Sequence, residues 1–258
     1  MEFVNVSYEK AGQIAIVTMN RPEKKHAFHT EMAQQLLTAF QKMNEGDVRV
    51  VIFTSSTTDA FCSGADLKER KGMSDEAWKE QHHLFEQMFL ALAAIKCPTI
   101  SAMCGYALAG GFELALNTDL LIAGENVKVG LSEVRRGIMP GGGGARLLPK
   151  RIPLHIAKEW LFTGRIIEAS EAERAGLFNR VVAVDEVMPV ALALAEEIAN
   201  NAPIGVRGVK KVADCYTLPA DDAFKLEMDM YEQVIHTADR LEGILAFNEK
   251  RQPKFVGR

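Results

Sequence analysis

Gly105-Tyr106-Ala107-Leu108-Ala109-Gly110-Gly111-Phe112-Glu113-Leu114 follows the apolar run Thr99-Ile100-Ser101-Ala102-Met103 and precedes Leu120-Leu121-Ile122-Ala123. The two flanking runs have the length and composition of strands covered on both faces. The residues after the glycine pair predict a helix over 111–117. Strand, glycine loop, helix and strand in that order make a βαβ unit, whose crossover is right-handed.

The same alternation extends toward the N-terminus. Val48 to Thr54 (VRVVIFT) reads as a second doubly covered strand, followed by the loop Ala60-Phe61-Cys62-Ser63-Gly64-Ala65-Asp66-Leu67-Lys68. Ile14 to Met19 is a further strand, closed by the turn Asn20-Arg21-Pro22. Met32, Leu36, Leu37, Phe40 and Met43 recur at helical spacing between Thr30 and Gly46. Ser74 reads as the N-cap of a long helix running to Ile95, with Asp75 and Glu76 suited to its first turn. Toward the C-terminus a strand is expected over Phe178–Val184. Helices are expected over 186–200, 204–214 and 220–236, with Pro203 tolerated as a first helical residue. Ser170 with Glu173, and more loosely Asp239 with Glu242, have capping-box spacing. The fold class is therefore α/β, with a core over 1–200 and a helical subdomain over 201–258 whose amphipathic helices need a further surface to pack against.

Composition narrows the class of partner. The 258 residues are 48% hydrophobic and 25% charged, with a formal net charge of −4. That balance suits a globular chain and favours neither nucleic acid nor an anionic membrane as a partner. No basic-then-apolar leader opens the sequence, and no apolar stretch is long enough to span a bilayer. Cys62, Cys97, Cys104 and Cys215 lack metal-ligand spacing and read as free thiols in a reducing cytoplasm, with no metal site expected.

Both glycine-containing loops follow strands, where ligands gather in open α/β sheets. Their small residues let a ligand approach the backbone, and free N–H groups at a helix start suit a developing negative oxygen. Two carboxylates lie close by in sequence. Glu113 sits in a helical first turn, where the dipole alone would favour it. Glu133 follows Ser132, a candidate cap, and could equally be a surface acid paired with Arg135 or Arg136. Spacing alone does not bring them together. Gly141-Gly142-Gly143-Gly144 lacks the strand and acidic partner of a phosphate-binding fingerprint and reads better as a close-packed turn before a helix at Ala145.

Taken in order, Phe61 to Lys68, Gly105 to Ala115, Gly130-Leu131-Ser132-Glu133 and Gly137 to Gly143 closely resemble the signature stretches of the enoyl-CoA hydratase (crotonase) family. Asn20-Arg21-Pro22, Thr163-Gly164-Arg165, Ala175-Gly176-Leu177 and Arg240 to Gly243 extend the likeness over nearly the whole chain. The resemblance implies a ββα spiral core with a C-terminal helical oligomerisation subdomain, in trimers or pairs of trimers. It implies a hydro-lyase that adds water to a 2-enoyl-CoA, as in fatty-acid β-oxidation, with coenzyme A entering as part of the substrate and no separate cofactor. Glu113 and Glu133 match the two catalytic acids, and Ala65 and Gly110 the oxyanion hole. Ala27, Asp66, Leu67, Lys68, Gly111 and Pro140 match the remaining substrate-binding positions.

Two residues depart from the family pattern. His26 stands where Asn is usual, which leaves two readings for the Lys24-Lys25-His26 turn: a solvated basic turn, or contacts to a coenzyme A phosphate. Ala109 replaces a glycine, a change expected to be harmless because Gly110 and Gly111 remain. Within the family, Asp239 to Phe247 and Met139 to Gly144 are similar to methylglutaconyl-CoA hydratases, and parts of 110–182 to carnitinyl-CoA dehydratases. Isomerases of the family can work with one acid, so the two glutamates favour hydration. An RNA-binding relative is disfavoured by the acidic balance and the absence of clustered Lys and Arg with aromatics.

Overall fold

Ile14–Met19 and Val50–Ser55 are apolar at almost every position because the sheet they share is covered on both faces. Ala15, Val17, Met19, Val51 and Phe53 enter the main core, while Ile14, Ile16, Val50 and Ile52 enter a second one on the opposite side. The structure is a computed structural model and describes residues 2–258.

The chain opens with β1 (Val4–Glu9), antiparallel to β2 (Ile14–Met19), and helix α1 (Thr30–Lys42). A unit then repeats in which one strand joins a large sheet, the next joins a small sheet, and a helix returns. Its first copy is β3 (Val50–Ser55), β4 (Ala60–Cys62) and α2 (Asp75–Ala93). Next come β5 (Thr99–Met103), β6 (Tyr106–Leu108) and α3 (Gly110–Leu116). The third copy is β7 (Leu120–Gly124) and β8 (Lys128–Gly130), followed by the short turn Glu133–Arg136, α4 (Gly144–Arg151) and α5 (Leu154–Thr163). Then follow β9 (Ile167–Glu168), α6 (Ala169–Arg174), β10 (Arg180–Val182) and α7 (Val187–Ala199). The large sheet runs β1-β2-β3-β5-β7-β10, parallel from β2 onward, and the small one runs β4-β6-β8-β9. This is the expected ββα spiral.

Helix α7 covers the second core with Val187, Ala191, Ala195 and Ala199, one small residue per turn, so that it lies close against the strands. The C-terminal helices are α8 (Pro203–Asp214), α9 (Ala220–Ile235) and α10 (Ala238–Glu249). Helix α8 returns to the core through Lys210, whose Nζ lies 2.7 Å from Asp119 Oδ2, while α9 buries none of its residues.

Several local expectations need correction. The loops 60–68 and 105–114 each begin with a three-residue strand, β4 and β6, too short to show alternation. The strand expected over 178–184 shortens to β10. Ser170 is not a cap, because α6 already starts at Ala169. Asp239 is not one either: Thr237 caps α10 by accepting from Arg240 N at 3.1 Å. Asp239 instead accepts from Val256 N and Gly257 N at 2.7 and 2.9 Å and ties down the C-terminal tail. The Ser74 cap of α2 is present and accepts from Ala77 N. Among the described residues no helix is long and apolar enough to cross a membrane.

Gly105 joins β5 to β6 with φ +64°, and a Cβ there would lie 2.0 Å from Asp59 O, so both conformation and space require glycine. Gly105→Ala is expected to destabilise the chain by roughly 3 kcal/mol or more, read as a lowered urea midpoint. An unchanged midpoint would contradict this placement of the second sheet.

Candidate active site

Glu113 and Glu133 approach one cavity from separate elements. Helix α3 carries Glu113 inward among Phe112, Leu114, Ala115 and Leu116, all buried. Its Oε1 accepts hydrogen bonds from Gly142 N and Gly144 N, each at 2.8 Å. The glycine run 141–144 therefore opens α4 with free amides that hold a carboxylate. Asn117 Nδ2 donates to Gly142 O and to Glu113 O at 2.8 Å each, which fixes the loop against α3.

Glu133 heads the turn after β8 and is also buried. It is not the surface acid that Arg135 and Arg136 invited: Arg136 donates instead to Ser132 O and Oγ. Nor does Ser132 cap the turn by its side chain. Glu133 Oε2 is buried without a hydrogen-bond partner. Burial, reinforced by the charge on Glu113, pushes the Glu133 carboxyl up to about 7. Burial raises Glu113 as well, opposed by the amides of Gly144, Gly142 and Gly141. The two acids are thus unequal: amides of the glycine run hold Glu113, while Glu133 has only its own backbone N–H and leaves Oε2 unpartnered.

The cavity has a volume of about 590 Å³, and Ala65, Leu67, Gly110, Glu113, Glu133 and Pro140 line it. Phe28 N donates to Gly64 O and Asp66 N to Phe28 O, both at 2.9 Å, which turns the intervening Ala65 N–H away from Phe28. Gly110 is the first residue of α3, where N–H groups have no intrahelical acceptor. The loops touch: a Cβ on Gly64 would lie 3.2 Å from Gly110 N. Two main-chain donors with no acceptor among the described residues thus border the cavity that holds both carboxyls. Such donors can bind a negative oxygen.

Four of the expected binding residues lie outside the cavity lining. Gly111 has a packing duty: a Cβ there would lie 2.1 Å from Cys62 O, so α3 can sit against β4 only with glycine. Asp66 pairs with Arg21, Nη1 to Oδ2 at 2.8 Å, and the same nitrogen donates to Ala27 O at 2.8 Å. Lys68 is exposed and lines a neighbouring cleft with Lys71 and Trp78. A larger cavity of about 920 Å³, bordered by Leu116, Asp119, Arg151, Val206 and Lys210, holds neither glutamate.

His26 is completely buried, which rules out the solvated-turn reading for it. Its φ of +53° is left-handed, a conformation that Asn and His adopt more readily than most residues, so His can stand where the family has Asn. Nδ1 accepts from Arg21 N at 3.0 Å, Nε2 meets Thr57 Oγ1 at 2.9 Å, and Thr57 donates to Asp59 Oδ1 at 2.6 Å. Lys24 and Lys25 remain exposed.

Sequence reasoning missed Trp78, His82, Phe85 and Phe89, which line the cavity from α2. Their helical spacing, one face of a helix already expected, was the available signal. It also missed Arg21, Arg70 and Arg136, and the use of the Gly142 and Gly144 amides.

A two-sheet spiral with two buried acids beside paired free amides defines a class, and the comparisons agree with it: residues 9–258 match the Enoyl-CoA hydratase/isomerase family, to which this chain belongs. Among its relatives, the mouse mitochondrial enoyl-CoA hydratase domain-containing protein 2 is 43% identical over 95% of this chain and 85% of its own length. The short-chain-enoyl-CoA hydratase of Clostridium acetobutylicum is 34% identical over 98% of this chain and 97% of its own. The crystal structure of an enoyl-CoA hydratase from Bacillus anthracis superposes with a TM-score of 0.96 at 37% identity, each chain covered completely.

Ala109 is not the harmless replacement its neighbours suggested. Its φ of +49° and ψ of −129° lie where L-residues are strained and glycine is not. Ala109→Gly is expected to raise stability by about 1 kcal/mol, a Tm gain of about 2–4 °C. A lower Tm by calorimetry would contradict this backbone geometry.

Proposed function

We propose that this enzyme of the hydratase/isomerase family is an enoyl-CoA hydratase, a hydro-lyase that adds water across the 2,3 double bond of a 2-enoyl-CoA. The supporting observation is the inequality of Glu113 and Glu133 beside two unengaged main-chain donors. Ala65 N and Gly110 N take the thioester oxygen and stabilise the enolate charge that forms there. Glu113, held ionised by the Gly142 and Gly144 amides, orients a water and removes its proton as oxygen bonds to the β-carbon. Glu133, with an uncommitted oxygen and a raised proton affinity, gives its proton to the α-carbon. Water thereby supplies OH to one carbon and, through the two acids, H to the other. An isomerase needs one acid to shuttle a single proton, so two inward glutamates favour hydration.

Coenzyme A enters as part of the substrate, with Asp66, Leu67 and Lys68 along its path and exposed Lys24 and Lys25 available to a phosphate. We further propose assembly into trimers or pairs of trimers through the C-terminal helices, whose Phe224, Tyr231 and Phe247 are 63%, 62% and 84% exposed. Four free thiols, three of them buried, suit a reducing compartment such as the cytoplasm.

Glu113→Gln and Glu133→Gln are each expected to lower kcat/KM for crotonyl-CoA by at least about 100-fold, measured by loss of thioester absorbance. Retention of activity within a few-fold in both variants would sink the assignment. The pH profile follows from the same inequality. Glu133 must hold its proton, so kcat/KM should fall as pH rises through about 7. Glu113 must lose its own, so a second fall is expected on the acid side, at a pH above the ordinary carboxylate range. A profile flat from pH 5 to 9 would contradict these roles.

A further inference from the structure

Two main-chain donors can serve a single oxygen only if their loops keep a fixed spacing. The turn 21–28 backs the loop of Ala65 residue by residue. Ser63 N donates to Lys25 O at 3.0 Å, and Cys62 Sγ to His26 O at 3.1 Å. Arg21 Nη1 donates to Ala27 O and to Asp66 Oδ2, at 2.8 Å each. Phe28 then pairs with Gly64 and Asp66 on either side of Ala65. A shift of this turn therefore carries the Ala65 N–H with it.

His26 holds the turn from inside, with its ring completely buried. Nδ1 accepts from Arg21 N at 3.0 Å, while His26 N donates to Arg21 O at 2.9 Å, so ring and backbone close the turn together. Because Nδ1 is an acceptor, the ring proton lies on Nε2 and is donated to Thr57 Oγ1 at 2.9 Å. Thr57 in turn donates to Asp59 Oδ1 at 2.6 Å. Burial lowers the proton affinity of the ring, against the pull of Asp59 and Glu23. The neutral form is also the one that fits, since a proton on Nδ1 would face the Arg21 N–H. On the far side, Asp59 O accepts from Tyr106 N at 3.2 Å, where β6 begins, and β6 leads into Gly110. One chain of bonds thus runs from the loop of the first donor to the strand of the second.

We propose that His26, as the neutral Nε2–H tautomer, is a positioning residue that sets the spacing of the Ala65 and Gly110 donors through Thr57 and Asp59. It does not border the cavity, so it acts on the substrate only through these segments. The asparagine usual at this position tolerates a left-handed φ and offers an acceptor to Arg21 N, but it is too short to reach Thr57. The link to β6 therefore belongs to the histidine of this chain. The inference rests on the oxyanion reading above and adds a residue to the machinery that supports it.

The test uses His26→Asn, Thr57→Val and the double variant, with two readouts. The first is the absorbance of bound 4-dimethylaminocinnamoyl-CoA, which moves to the red when N–H donors draw charge onto its thioester oxygen. Read at saturation, the shift is a property of the bound complex, so a loss of stability alone does not change it. Wild type should give a red shift, and both single variants a smaller one. The second readout is hydration of crotonyl-CoA: kcat should fall about tenfold in each single variant, with KM within about twofold, because misplaced donors weaken the transition state more than the bound substrate. Both substitutions break one link, so the double variant should be no worse than the poorer single one. An undiminished red shift and kcat in both single variants overturns the proposal. A raised KM at unchanged kcat does so too, as do losses that multiply in the double variant. Absence of any red shift in wild type removes the oxyanion reading itself.

Discussion

The carboxylate of Glu113 resting on the amides of Gly142 and Gly144 is the contact on which the site depends. Two carboxyls in one poorly hydrated cavity cannot both ionise cheaply, so something must decide which of them carries the charge. The start of α4 decides it. Its unpaired N–H groups and positive dipole end favour an anion at Glu113. Glu133, given no comparable donor for Oε2, bears the cost of burial and of its neighbour's charge. One backbone feature thereby separates the proton affinities of two side chains of the same type.

The double sheet serves that arrangement. Each turn of the spiral passes from a long strand to a three-residue one before its helix begins, so β4 and β6 end side by side. The loops after them bring Ala65 and Gly110 to the same cavity border. Gly111 makes the approach possible, because any side chain there would strike Cys62 O. Alignment of the two donors is then a property of sheet register, and rigid elements hold such a constellation better than free loops do.

The large sheet was readable because burial on both faces leaves a near-continuous apolar run, as in Val50–Ser55, and α2 was readable because Ser74 and its acidic first turn mark a start. The small sheet was not: three residues such as Tyr106–Leu108 carry too little periodicity to stand out from a loop. Glu113 and Glu133 were legible as candidates only through resemblance, since nothing local distinguishes Glu133 from a surface acid paired with Arg136. What places it is the packing of the turn after β8 against α5, a non-local fact. The glycine run was read correctly as a turn before a helix, yet its use as an anion holder depends on a residue 29 positions earlier, beyond any local pattern.

The two departures from the family pattern follow one logic. His26 and Ala109 both have positive φ, and each lies beside a loop with a free main-chain N–H at the cavity border. Strained backbone persists only where the surroundings over-determine it. At His26 they do: the ring is bonded at both nitrogens, and Cys62 Sγ donates to its carbonyl oxygen at 3.1 Å. At Ala109 the N–H is tied to Gly130 O at 2.7 Å, and its own carbonyl accepts from Glu113 N at 3.0 Å. The second bond joins the strained residue directly to the residue that carries the buried carboxyl. Relaxing Ala109 would rotate the peptide that supplies the Gly110 N–H, so the same contacts that hold the strain also aim the donor.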